Sequence, residues 1–72
     1  MNTPTISYRT TETFKGTGRY EVDLDGTNAG WVVKHSTGKW NATYIDDYGR
    51  TRPAGTYRTR DEAAREIRIQ AS

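Results

Sequence analysis

The sequence predicts an α+β fold: a three-stranded antiparallel sheet packed on one C-terminal helix, with an additional N-terminal strand or hairpin as an extension of it. Three observations predict it. Apolar and polar residues alternate through residues 19–24 and again through 39–46, the period of a half-buried strand. Asp25-Gly26, Thr37-Gly38 and Tyr48-Gly49 separate the apolar runs, which is the turn chemistry of hairpins. A capping sequence followed by helically spaced alanines closes the chain.

The first segment, residues 1–17, is rich in Thr and poor in apolar groups. Ile6, Tyr8 and Phe14 suffice for one short strand, while Pro4 and the Thr run favour a partly flexible arm. Residues 18–72 form the single domain. In the stretch 18–24, Tyr20, Val22 and Leu24 share one face, with Arg19, Glu21 and Asp23 on the other. The next run, Gly30-Trp31-Val32-Val33-Lys34-His35, is β-branched and aromatic. Its adjacent valines leave the face of Trp31 open. After Ser36-Thr37-Gly38, Trp40, Ala42 and Tyr44 form the helix-facing set, leaving Lys39, Asn41, Thr43 and Ile45 on the open face. A last strand falls within residues 50–58, where Pro53 suits an edge or a bulge.

The C-terminal helix opens on Thr59-Arg60-Asp61-Glu62, a capping-box pattern in which the Thr hydroxyl takes an early backbone N–H and the Glu reaches back. Asp61 and Glu62 favour the positive end of the helix dipole. Ala63, Ala64, Ile67 and Ala71 repeat at helical spacing and give a narrow stripe of mostly small residues, which lets a helix lie close on a sheet. Ile69 falls off that stripe, where the helix is expected to fray.

Length and composition narrow the function. Seventy-two residues allow one domain and no second core. A chain this short buries only about 60% of its unfolded surface. Since 32% of the residues are hydrophobic, the five Tyr, two Trp and single Phe must carry much of the burial. The absence of Cys removes disulfides, thiol nucleophiles and Cys-type zinc sites. A single histidine, His35, removes a multi-histidine metal site. No apolar run reaches a membrane span and Met1 opens onto polar sequence, so a cytoplasmic, non-enzymatic protein without cofactor or metal is expected.

Two motifs are turned aside by the same arithmetic. Asp23-Leu24-Asp25-Gly26-Thr27 matches the nucleophile motif of haloacid-dehalogenase-type phosphatases, whose parallel sheet and further Lys and Asp motifs cannot fit here; it reads as a turn. Asp23, Asp25 and Asn28 do not stand in calcium-loop register.

Charge is distributed unevenly. The chain is +2 overall, but residues 31–60 set Lys34, Lys39, Arg50, Arg52, Arg58 and Arg60 against only Asp46 and Asp47. A basic block with interleaved aromatics suits a phosphate-rich partner; a solvated sheet face has the same composition.

Gly38-Lys39-Trp40-Asn41-Ala42, Asp46, Gly55-Thr56-Tyr57-Arg58-Thr59 and Glu62-Ala63-Ala64-Arg65 resemble the APETALA/ethylene-response-factor DNA-binding domain and its relatives, the arm-binding N-terminal domains of phage and transposon integrases. The resemblance implies a three-stranded antiparallel sheet on one helix, with the open sheet face in the DNA major groove. The family reads bases largely with Arg, Trp and Glu; this chain carries Thr43 and Ile45 at the middle-strand positions, Val33 and His35 in the first strand, and either Thr51 and Pro53 or Arg50 and Arg52 in the third. The expected function is a small, phage-derived DNA-binding module. Lys34, Lys39, Arg50, Arg52 and Arg58 would contact phosphates of double-stranded DNA, and His35, Asn41 and Thr43 bases or sugars. The alternative is a protein-interaction module, a phage or bacterial regulator that binds a host protein through its sheet face or an edge strand.

Overall fold

The computed structural model describes residues 3–10 and 18–71. Among them, five strands and one helix follow in order: β1 (Ile6–Arg9), β2 (Arg19–Leu24), β3 (Thr27–Lys34), β4 (Trp40–Ile45), β5 (Thr51–Tyr57) and α1 (Arg60–Gln70). The strands form one antiparallel meander in the order β1-β2-β3-β4-β5. The α+β class and the helix are as expected, but the sheet is wider than three strands. Ile6–Arg9 joins it by pairing with Asp23 opposite Ser7 and Val22 opposite Tyr8. The expected arm therefore contributes a full edge strand, although Phe14 lies outside the described residues.

Helix α1 covers one face. Thr59 caps it, its Oγ1 accepting from Glu62 N at 3.1 Å, a bond of about 1 kcal/mol. Ala63, Ala64 and Ile67 have no exposed surface. They meet Val22, Val32 and Ala42 from the sheet, with Tyr8, Tyr20, Leu24, Trp40, Tyr44 and Tyr57 packed around them. Small residues at the contact let helix and sheet approach, and the aromatics close the margins. The helix continues through Ile69, which is 62% exposed, to Gln70; the off-stripe residue faces solvent without ending the helix.

Two bulges shape the sheet. Val22 pairs with Gly30 and Asp23 with Asn28, so Ala29 has no partner. Ala42 pairs with Gly55 and Thr43 with Pro53, so Ala54 has none. Both unpaired alanines are buried in the core. An extra residue bends its strand and increases the local twist; here each one also turns a methyl group under the helix.

Candidate nucleic-acid interface

The register fixes the face that α1 leaves uncovered. Trp31 opposes Thr43 and Val33 opposes Asn41; on the next strand Thr43 opposes Pro53, Asn41 opposes Thr56 and Ile45 opposes Thr51. Cross-strand partners share a face, so Trp31, Val33, Asn41, Thr43, Ile45, Thr51, Pro53 and Thr56 lie together on the open side. Trp31 is thereby placed: Val32, its neighbour, is fully buried beneath the helix. In β5 the open-face positions are Thr51, Pro53 and Thr56; Arg52, opposite Tyr44, belongs to the helix side.

Across β4 and β5 this face is uncharged and rich in hydrogen-bonding groups. Thr56 Oγ1 donates to Asn41 Oδ1 at 2.9 Å. That bond fixes the Asn41 amide with its oxygen occupied and its NH₂ directed elsewhere, and Asn41 is exposed. An amide so oriented offers donors to a ligand.

The five cations expected at phosphates stand at the two ends of the strands. Lys34 ends β3, and Lys39 and Arg58 flank β4 and β5 at that end. Lys39 and Arg58 line one cleft with Thr56, Tyr57 and Glu62. Arg50 and Arg52 sit at the opposite end, around the β4–β5 turn. Arg50 lies over the Tyr48 ring at 5.3 Å, and Arg52 Nε donates to Asp46 Oδ2 at 3.0 Å. Asp46 also accepts from Tyr48 N and Arg50 N, both at 2.9 Å. The Arg50 backbone N–H and the Arg52 guanidinium hold its carboxyl below the usual carboxylate range. His35 lies in the β3–β4 turn and spends Nδ1 there, accepting from Thr37 N at 3.3 Å with Thr37 Oγ1 at 3.2 Å. Asn41 and Thr43 are thus brought together mid-face, with His35, Lys39, Arg50 and Arg58 at its ends, whereas Lys34, opposite Trp40, and Arg52, opposite Tyr44, project from the helix side.

The acidic groups on the same side are neutralised. Arg9 Nε donates to Asp23 Oδ2 at 3.2 Å, and Asn28 Nδ2 donates to Asp23 Oδ1 at 3.3 Å. The Arg9 bond, ahead of the others, lowers the Asp23 carboxyl. Arg19 bonds Glu21 at 3.2 Å and lies over the Trp31 ring at 4.4 Å, so the largest aromatic on the open side is capped by a guanidinium. Sequence reasoning assigned no role to Arg9 or Arg19 and left the face of Trp31 open. The alternation of Arg19, Glu21 and Asp23 along one face was the available signal; the partners across strands were not.

No group of three or more His, Cys, Asp or Glu suited to a metal occurs among the described residues, and no helix there is long and apolar enough to cross a membrane. No protein-family model, curated protein or solved structure matches the chain.

Proposed function

We propose that this chain is a small DNA-binding module that sets the open face of β3–β5 into the major groove of double-stranded DNA. This reading takes up the resemblance to the APETALA/ethylene-response-factor and integrase arm-binding domains, with a different set of face residues. One observation carries it: an uncharged, hydrogen-bonding band of Asn41, Thr43, Thr51 and Thr56 lies between cations at both strand ends, while the carboxylates of that face are bound to arginines. Residues 40 to 45 span roughly 17 Å at about 3.4 Å per residue. The major groove is about 12 Å wide, so a face of this length lays its uncharged centre on base edges and its ends on the phosphate walls. Lys39 and Arg58 serve one wall and Arg50 the other, with His35 extending the first; Lys34, opposite Trp40, and Arg52, opposite Tyr44, project from the helix side. The Asn41 amide donors meet base acceptors, and Thr43 supplies a hydroxyl and a methyl group.

Titration of a fluorescein-labelled duplex at several salt concentrations tests this reading. Three to five phosphate contacts predict a log–log slope of about −3 to −4.5. Absence of binding at low salt, where the electrostatic attraction is strongest, overturns it.

A further inference from the structure

The two edges of the sheet differ. On β5, Pro53 lacks an N–H, Gly55 follows it and Ala54 bulges, features that blunt an edge against further pairing. On β1 the register with β2 is regular from Ile6 to Arg9, and neither proline nor lysine occurs in the strand. Asp25 N donates to Thr5 O at 3.0 Å, which makes Thr5 and Asp25 a hydrogen-bonded pair. Antiparallel pairs alternate between bonded and non-bonded, so the N–H and C=O groups of Ile6 and Tyr8 point outward from the sheet. The side chains of the same two residues face the helix side and pack against the core.

A groove of about 390 Å³ runs beside that edge, lined by Ile6 and Tyr8 from β1 and by Asp61, Arg65 and Arg68 from α1. Its charges are unbalanced. Asp61 accepts from the Tyr8 hydroxyl at 2.5 Å and stands 4.0 Å from Arg60 Nε. Arg65 and Arg68 have no ion pair among the described residues, and Arg68 is half-buried. A half-buried guanidinium without a counter-charge is electrostatically incomplete.

We propose that the groove between β1 and α1 binds an extended acidic peptide segment of a partner protein, which adds to β1 as a sixth strand. The outward groups of Ile6 and Tyr8 provide up to four backbone hydrogen bonds, and alternate side chains of the peptide enter the groove, the established geometry of strand addition beside a helix. Arg65 and Arg68 are three residues apart, about 4.5 Å along the helix. Acidic side chains at alternate strand positions are about 7 Å apart, within reach of two flexible guanidinium stems. Ile6 adds apolar surface to the groove. A second copy of this chain is a poor occupant, because β1 pairing with β1 would bring two sets of unpaired arginines together. The site lies on the helix side of the sheet and does not depend on the DNA reading.

The test selects a phage-displayed library of random ten-residue peptides against the full chain. Enrichment of sequences with Asp or Glu at alternate positions is expected. Affinity of the synthesised consensus peptide should fall about tenfold or more when Arg65→Glu and Arg68→Glu are combined. It should fall again in a chain assembled by chemical ligation with an N-methyl group on Ile6, which removes one outward donor and keeps the side chain. Amide spectra establish that each variant is folded, and Arg65→Gln with Arg68→Gln serves if charge reversal unfolds the chain. No enrichment, enrichment of non-acidic peptides, or affinity unchanged in the variants overturns the proposal. So does displacement of the peptide by duplex DNA, which would place the groove within a nucleic-acid surface, or concentration-dependent dimerisation that blocks the peptide, which would assign the edge to a second copy.

Discussion

The hydroxyl of Tyr8 donates to the carboxylate of Asp61 at 2.5 Å across 53 positions of sequence, joining the edge strand to the first turn of the helix. The guanidinium of Arg60 lies over the Tyr8 ring at 4.0 Å and the Tyr20 ring at 5.0 Å. Tyr20 in turn meets Tyr8 edge-on at 6.3 Å and Trp40 at 6.0 Å. This row of rings extends the small aliphatic core to the margin of the sheet. It is the reason that a polar strand of four residues holds its place.

That row has an alkaline consequence. Burial, followed by the Asp61 hydrogen bond, pushes the Tyr8 phenol up to about 12. A folded pKa above the unfolded one, about 10, means that the stabilisation is complete below pH 10. It is lost as pH rises from there toward 12. Denaturant midpoints of the wild type should therefore fall over that window more steeply than those of Tyr8→Phe. Burial also raises Tyr57, so the Phe variant retains part of the decline. Identical profiles for the two proteins would remove Tyr8 as a source of it.

Among the described glycines, Gly30 makes the tightest approach. Its φ is +154°, and a Cβ there would stand 2.1 Å from Thr43 O and 2.9 Å from Tyr44 Cα. Both obstacles are backbone of the paired strand, so neither can rotate away. Gly30→Ala should cost at least about 3 kcal/mol, a large share of the stability of so small a domain. Gly38 is the control: its φ is +88°, with nothing within 4 Å of a Cβ. Gly38→Ala should cost only about 1–2 kcal/mol for the left-handed backbone. Urea unfolding of both variants separates steric exclusion from backbone preference, and equal losses would contradict the distinction.

The sequence made the helix and the middle of the sheet legible because their signals are local. Thr59 and the alanines at 63 and 64 mark a cap and a buried stripe, and Trp40, Ala42 and Tyr44 alternate without ambiguity. What stayed hidden depends on partners distant in sequence. Ile6 and Tyr8 give β1 only two apolar groups, and its place follows from Asp61, Arg60 and Tyr20. The bulges fall on Ala29 and Ala54, small residues that fit either face and carry no periodicity of their own. Trp31 could be placed only once Val32 was seen beneath the helix. For the interface, the polar centre at Asn41 and Thr43 was readable from alternation. The division of the cations between two strand ends, and the pairing of Arg52 with Asp46, required the turn.

Asp46 organises that turn and holds Arg52 on the helix side, away from the proposed interface. Its folded pKa is depressed, so its contribution to stability is present above about pH 4 and is lost as pH falls further. Asp23, held by Arg9, acts in the same sense. Asp46→Asn keeps an oxygen for the backbone donors of Tyr48 and Arg50 and gives up the ion pair with Arg52. The acid limb of the stability profile should flatten, with a modest loss at neutral pH. Arg52, released, should then tighten duplex binding at low salt and steepen the salt slope by about one. An unchanged slope would show that Arg52 does not reach a phosphate.

Asn41 permits a test of the open face that leaves the fold intact. Its Oδ1 accepts from Thr56 Oγ1 at 2.9 Å, and an aspartate at the same position keeps that acceptor. Asn41→Asp therefore preserves the side-chain shape and the bond to Thr56 while replacing two donors by a negative charge. Because the residue is exposed, the change should leave the unfolding midpoint within about 0.5 kcal/mol of wild type. Its effect on a duplex should be far larger. The amide loses its base acceptors and the new carboxylate faces a surface lined with phosphates, so affinity at low salt should fall at least about tenfold. Asn41→Ala should fall between the two, since it removes the donors without adding repulsion. The order wild type, Ala, Asp in a duplex titration is the expected result. Equal affinities for all three, with folds unchanged, would take the centre of this face out of the DNA interface and leave only the cations at its ends.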